Sequence, residues 1–235
     1  ANISFGSAAT PARPVEESSQ AVQDVMQLGG TVIGISKSSE FGFTGTVEPL
    51  YGTPVRNPYG VEHSAGGSSG GAVALVSSGV IPFAHTTDGG GSTRMPAAFC
   101  GLFGMKPTRG RQTSLASAGR MPVEINAAGC VTRSVVDLAH VLHTLDRGAA
   151  AGMDQIGLVE GPSQDRLRIG LYINPLDGQT DPELAERVRR VARRLEAMGH
   201  IVEPMSPPYD RQFVEDFLLH YALIAQLVQL MIGLN

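Results

Sequence analysis

Apolar and polar positions along the chain fall into helical and strand-like stretches separated by glycine. Over 16–28, Val22, Val25, Met26 and Leu28 recur mostly at helical spacings, and Gly29-Gly30 follows as a C-terminal stop. TVIGIS (31–36) is a short apolar run that predicts a buried strand. Residues 44–60 are rich in Gly, Pro and Thr and predict an ordered loop. Residues 72–78 predict a helix packed through small side chains and ended by Gly79, followed by a strand at VIPFAHT (80–86). Residues 96–103 predict a short helix or turn. Over 132–145, Val135, Val136, Leu138, Ala139 and Leu142 lie on one helical face, with Thr132 as the N-cap candidate.

The last third repeats this rhythm. RLRIGLYI (166–173) and HIVEPMS (200–206) read as strands flanking an amphipathic helix over 181–199, with Pro182 in its first turn. The most apolar stretch, 217–234, carries His220, Gln226 and Gln229, lacks basic flanks and is short for a membrane span. It reads as a buried helix. Strands alternating with helices predict an α/β fold, a mainly parallel or mixed sheet covered by helices. The expectation is a single domain over 1–235, with core motifs at 60–111 and an additional α/β segment at 165–206. Both ends read as interior, since the chain opens at Ala1 without Met and stops at Asn235 directly after an apolar helix. A piece of a longer protein, or one with parts missing, is therefore expected.

Composition narrows the class. Of 235 residues, 42% are hydrophobic and 17% charged, which suits a soluble protein with a sizeable core. A net charge of −4 and the absence of a basic patch argue against nucleic acid. The one arginine cluster, RVRRVARRLE (187–196), is spaced like a solvated helix face. Two cysteines, Cys100 and Cys130, lie in apolar surroundings, which points to a reducing cytoplasm and away from a disulfide framework. No membrane partner is expected, and a homodimer is left open.

Two glycine-rich stretches carry the candidate chemistry. HSAGGSSGGAVALV (63–76) places Ser68 and Ser69 between paired glycines, and TTDGGGSTRMP (86–96) places Ser92 after three. Consecutive glycines allow turns that a Cβ resists and leave successive N–H groups uncovered. A hydroxyl beside such donors suits acyl transfer: the hydroxyl attacks a carbonyl and the N–H groups receive the oxyanion. Asp88 and Arg94 bracket the second stretch, and a charge pair between them would hold its shape. A serine nucleophile needs a base. None of the six histidines lies in a triad motif, and no G-x-S-x-G elbow surrounds Ser92. A Ser–Lys arrangement is the remaining common solution.

GGSSGGAVALVSSG followed by TTDGGGSTRMPAAFCGLFGMKPTRGR resembles the two core motifs of the amidase signature family, correctly ordered, with Ser68 and Ser92 24 positions apart. EFGFTGTVEPLYGTPVRNPYG is similar to the family's segment leading into the first motif. The resemblance implies amide hydrolysis by a Ser–cisSer–Lys triad through an acyl-serine intermediate, on a mixed sheet covered by helices on both faces. It implies Ser92 as nucleophile and Ser68 as bridging serine, on a cis peptide with Gly67. Gly89, Gly90 and Gly91 match the oxyanion-hole segment, and Ser69 matches a supporting position. No metal and no organic cofactor are implied, and the expected ligand is a small-molecule amide.

The chain departs from the pattern at Thr93, where an aliphatic residue is usual, and at Thr86, where Gly or Ala is usual. The family's catalytic lysine would fall before Ala1. Lys37 and Lys106 match other positions, so this piece alone is expected to be inactive or badly impaired. A glutaminase-type amidotransferase subunit and an inactive amidase-like chain are the alternatives. After Arg111, QTSLASAGRMPVEINAAG diverges from that subunit. A phosphate-binding loop is disfavoured because Ala72 stands where a P-loop lysine would be.

Overall fold

The computed structural model describes residues 2–10, 12–14, 16–112 and 124–231. Most of the divergent stretch after Arg111 lies outside these residues. The chain divides into two compact units, Ala1–Gly161 and Pro162–Asn235.

The first unit opens with β1 (Asn2–Ile3) paired antiparallel to β2 (Arg13–Pro14), then α1 (Gln20–Gln27). A second antiparallel pair joins β3 (Arg56–Asn57) to β4 (Gly60–Ser64). Next come α2 (Gly70–Ser77), β5 (Phe83–Asp88), α3 (Arg94–Phe99), β6 (Phe103–Met105), β7 (Ala127–Thr132) and α4 (Val135–Thr144). Strands β5, β7 and β6 form a three-stranded antiparallel sheet with β7 in the middle. Successive strand residues face opposite sides, and all six residues of β7 are buried, so both faces of that strand are covered. The core joins Ala65, Val73 and Val76 to Ala97 and Cys100 of the α3 turn and Val131 of β7. Polar links brace the same layers. Arg133 Nη1 donates to the carbonyls of Val76 (2.8 Å), in the last turn of α2, and Ile81 (2.7 Å), in the loop before β5. Ser77 Oγ donates to the Cys100 carbonyl at 3.1 Å. Cys100 and Cys130 are free and buried, and burial pushes the Cys130 thiol up to about 12.

The second unit contains β8 (Arg168–Leu171), α5 (Pro182–Ala197), β9 (Ile201–Pro204) and α6 (Arg211–Met231). Strands β8 and β9 pair in parallel through the α5 crossover. The mixed strand directions foreseen from the sequence are thus divided between separate sheets, antiparallel in the first unit and parallel in the second.

Three local expectations are corrected. TVIGIS (31–36) forms no strand: Ile33 and Ile35 are exposed and no ladder partner lies among the described residues. An apolar run becomes a strand only where another edge takes its N–H and C=O groups. The N-cap of α4 is Ser134, whose hydroxyl accepts the Asp137 N–H at 3.0 Å. Thr132 instead ends β7 and donates to the Ser134 carbonyl at 2.8 Å. Finally, α6 is long and apolar enough to cross a membrane by length and composition, yet it is not the buried helix expected. Leu219 is 72% exposed and Leu218 60%. Burying a helix face takes a packed layer, and the small second unit does not supply one over α6.

Candidate active site

The first glycine–serine stretch is a crossing point of main chains. A Cβ on Gly67 would stand 2.7 Å from both the Thr44 carbonyl oxygen and the Thr46 nitrogen. On Gly71 it would stand 2.3 Å from the Lys37 carbonyl oxygen, which accepts the Gly71 N–H at 3.1 Å. Gly66 has φ +80°, and a Cβ there would press on Pro96. Side chains are excluded because the 37–47 segment and the α3 turn already fill the space. The Gly67–Ser68 peptide is cis. The Ser68 carbonyl accepts the Ser39 N–H at 3.1 Å, and a Cβ on Gly42 would lie 3.7 Å from Ser68 Oγ. Ser68 and Ser69 are buried, with Ser69 in the N-cap position of α2.

The second stretch leaves β5 at Asp88, turns through Gly89, Gly90 and Gly91, and enters α3 after Ser92 and Thr93. Asp88 is fully buried and organises the turn. Its Oδ1 accepts the Gly91 N–H at 2.9 Å and Arg94 Nη2 at 2.8 Å. Its Oδ2 accepts Arg94 Nε at 2.9 Å and the N–H groups of Thr93 (3.2 Å) and Arg94 (3.3 Å). Burial alone would raise the Asp88 pKa. The Arg94 hydrogen bond and charge, with the Gly91 and Thr93 amides, outweigh burial and hold the carboxyl below its ordinary value. Gly91 adopts φ +119°, a conformation glycine takes without steric cost.

The two stretches meet. The Ser69 N–H donates to the Ser92 carbonyl at 3.3 Å, which brings the half-buried Ser92 beside the Ser68–Ser69 loop. Of the three glycines read as an oxyanion segment, Gly91 has its N–H committed to Asp88. No acceptor among the described residues takes the N–H of Gly89 or Gly90. The lysines are engaged elsewhere: Lys37 Nζ donates to the Thr53 carbonyl at 2.9 Å and Lys106 Nζ to the Pro107 carbonyl at 3.0 Å. Among the described residues no group of three His, Cys, Asp or Glu side chains is placed to hold a metal ion.

Sequence reading missed three features here. The 37–47 segment walls the serine loop, and only the crowding of glycines at 66–71 hinted that something must. Arg133 reaches back to α2 with no local signal. Thr93 Oγ1 donates to Thr86 Oγ1 at 2.7 Å, which joins the two positions singled out as departures.

The chain as a whole is similar to known proteins. The family model described as amidase matches residues 1–231. The amidase-named AmiC of Mycobacterium leprae is 40% identical over 202 residues, covering 85% of this chain and 43% of that protein. The 6-aminohexanoate-cyclic-dimer hydrolase of a Pseudomonas species is 36% identical over 216 residues, covering 84% and 43%. Among solved structures, a bacterial aryl acylamidase superposes with a TM-score of 0.82 at 26% identity, over 96% of this chain and 48% of that one. The chain spans less than half the length of these two sequence relatives, 43% of each.

Proposed function

The chain belongs to the amidase family, and on that footing we propose that it carries the nucleophile and oxyanion half of an amide hydrolase. Ser92 Oγ attacks the carbonyl carbon of a small carboxylic amide, and its proton passes through Ser68 Oγ. The carbonyl oxygen, negative in the tetrahedral intermediate, faces the N–H groups of Gly89 and Gly90. Collapse breaks the C–N bond, the proton goes to the leaving nitrogen, and ammonia or an amine departs. Water then attacks the Ser92 ester and releases the acid. The final base is the triad lysine implied by the resemblance. Lys37 and Lys106 are not assigned to it, because each amine donates to a main-chain carbonyl, of Thr53 and of Pro107. Gly91 serves the turn through Asp88 and is not counted among the oxyanion donors.

The observation that carries this reading is the Ser69-to-Ser92 main-chain hydrogen bond, 3.3 Å, which seats the two serine loops against each other. Two free, buried thiols support a cytoplasmic setting. The test, on the chain extended to carry the triad lysine, is acylation by a serine-directed fluorophosphonate, with the modified peptide mapped by mass spectrometry. Labelling is expected at Ser92, to vanish in S92A, and to slow by about a hundredfold or more in S68A. Labelling at another serine, or amide turnover unchanged in S92A, would sink the assignment.

A further inference from the structure

A buried hydroxyl pair lies behind Ser92, and the mechanism above leaves it without a role. Thr93 Oγ1 donates to Thr86 Oγ1 at 2.7 Å, with Thr93 0% and Thr86 3% exposed. Thr86 sits on β5, and Thr93 is the residue after Ser92. The main chain of Thr93 is held as well. Its N–H donates to Asp88 Oδ2 at 3.2 Å, and its carbonyl accepts the Ala97 N–H at 3.2 Å. Thr93 is thus tied at three atoms, twice to β5 and once to α3. The neighbouring strand leaves room for this. Gly129 of β7 is in register with Thr86. A Cβ there would come 3.3 Å from Thr93 Oγ1 and 3.4 Å from Thr86 Oγ1.

We propose that the Thr86–Thr93 hydroxyl pair positions Ser92. It pins the 92–93 peptide to β5, so that the Ser92 carbonyl stays bonded to Ser69 and the Ser92 hydroxyl stays over the Ser68 loop. The proposal rests on the reading of Ser92 as nucleophile. Thr86 and Thr93 are positioning residues that touch no substrate.

The spacing dictates how the pair can change. Two hydroxyls meet at 2.7 Å, whereas carbon atoms in contact keep about 3.5–4.0 Å. Thr93→Val alone drives a methyl against the Thr86 oxygen and strips that oxygen of its partner. Thr86→Ala alone leaves the Thr93 hydroxyl buried and unpaired. Either change leaves a polar atom desolvated without compensation, while removing both hydroxyls avoids this. The two residues must therefore be exchanged together: Thr86→Ala with Thr93→Val removes both polar atoms and opens the space the methyl needs.

The experiment compares fluorophosphonate labelling of Ser92 in wild type, T86A, T93V, T93S and T86A/T93V, all in the chain extended to carry the triad lysine and well below every melting midpoint. Hydrogen–deuterium exchange over residues 89–95 is read on the same proteins. T86A and T93V are expected to label about ten- to a hundredfold more slowly, the cost of a small misplacement of a reacting group. T93S keeps the hydroxyl and stays within about threefold of wild type, and T86A/T93V returns to that range, since only coupled sites show such non-additivity. Exchange over 89–95 accelerates in the two single variants and not in T93S or the double variant. Wild-type labelling and exchange in both single variants would overturn the proposal, as would a double variant slowed by the product of the singles. S92A separates the two ideas. Undiminished labelling in S92A removes the nucleophile reading and the positioning role built on it, whereas loss of labelling in S92A with unaffected threonine variants removes only the positioning role.

Discussion

The turn at 88–94 and the helix α5 are both built on carboxylate–arginine pairs, and they use them for different ends. In α5, Glu183 meets Arg187 at 2.6 Å one turn on, and Glu186 meets Arg193 at 2.5 Å. These side chains are half to three-quarters exposed, so water screens the charges and the helix would form without them. In the turn, Asp88 is fully buried, and its two oxygens take three main-chain amides as well as the Arg94 guanidinium. There the carboxylate replaces the hydrogen bonds that a helix or sheet would otherwise provide, and it decides where Gly91, Ser92 and Thr93 sit. The same pair chemistry decorates a surface in one region and specifies a backbone in the other.

The sharpest way to break this contrast is to neutralise Asp88. Asp88→Asn keeps the shape but turns an acceptor into a donor facing other donors. Breaking a buried, multiply bonded carboxylate costs about 2–4 kcal/mol here, with Arg94 half-exposed and able to rehydrate. For a chain of this size the melting midpoint should fall by about 5–15 °C, and fluorophosphonate labelling of Ser92 should fall with it even at low temperature. An unchanged midpoint in D88N, read by circular dichroism, would mean that the turn holds itself.

Acid probes the same carboxylate without mutation. The folded state holds the Asp88 pKa below the ordinary value of 3.8, so the folded protein binds this proton less readily than the unfolded chain. The stabilisation is complete above the ordinary value and is lost as pH falls through the lower folded one, beginning below about pH 5. Asp146, held low chiefly by the Ile156 and Gly148 amides and then by Arg111, titrates in the same direction. The wild-type midpoint should therefore drop between about pH 5 and pH 3, and the drop should be shallower, though not absent, in D88N. Parallel curves would show that Asp88 contributes nothing in this window.

The two regions also differ in how far the sequence reveals them. Everything that makes α5 is local: Asp181, Pro182 and a 3.6-residue apolar period placed it within two residues of its ends. The strand at 31–36 and the burial of α6 were misjudged because both depend on partners that no local pattern encodes. The same holds for Thr132, outcompeted as cap by Ser134 because β7 runs on through position 132. At the candidate site, glycine spacing and the serines were legible, along with an Asp88–Arg94 pair. The commitment of the Gly91 amide to Asp88 and the meeting of Thr86 with Thr93 were not, since each needs β5 and the turn to fold back on one another.

On the α5 side the expected effects shrink quickly. Asp181 Oδ1 accepts the N–H groups of Glu183 (2.9 Å) and Leu184 (3.2 Å), so Asp181→Ala removes a cap worth about 1 kcal/mol. That loss should appear as a small fall in the unfolding midpoint and faster amide exchange confined to the first turn of α5. Arg187→Ala stands at the far end of the scale. The Glu183–Arg187 pair lies at 2.6 Å, shorter than the Asp88–Arg94 contact at 2.8 Å, so a ranking by distance alone would make it the stronger of the two. Exposure reverses that order: both partners return to water when the pair opens, no amide is orphaned, and salt already screens the attraction. R187A should leave the melting midpoint unchanged within error in 150 mM salt, and a shift comparable to that of D88N would show that burial is not what separates the two regions.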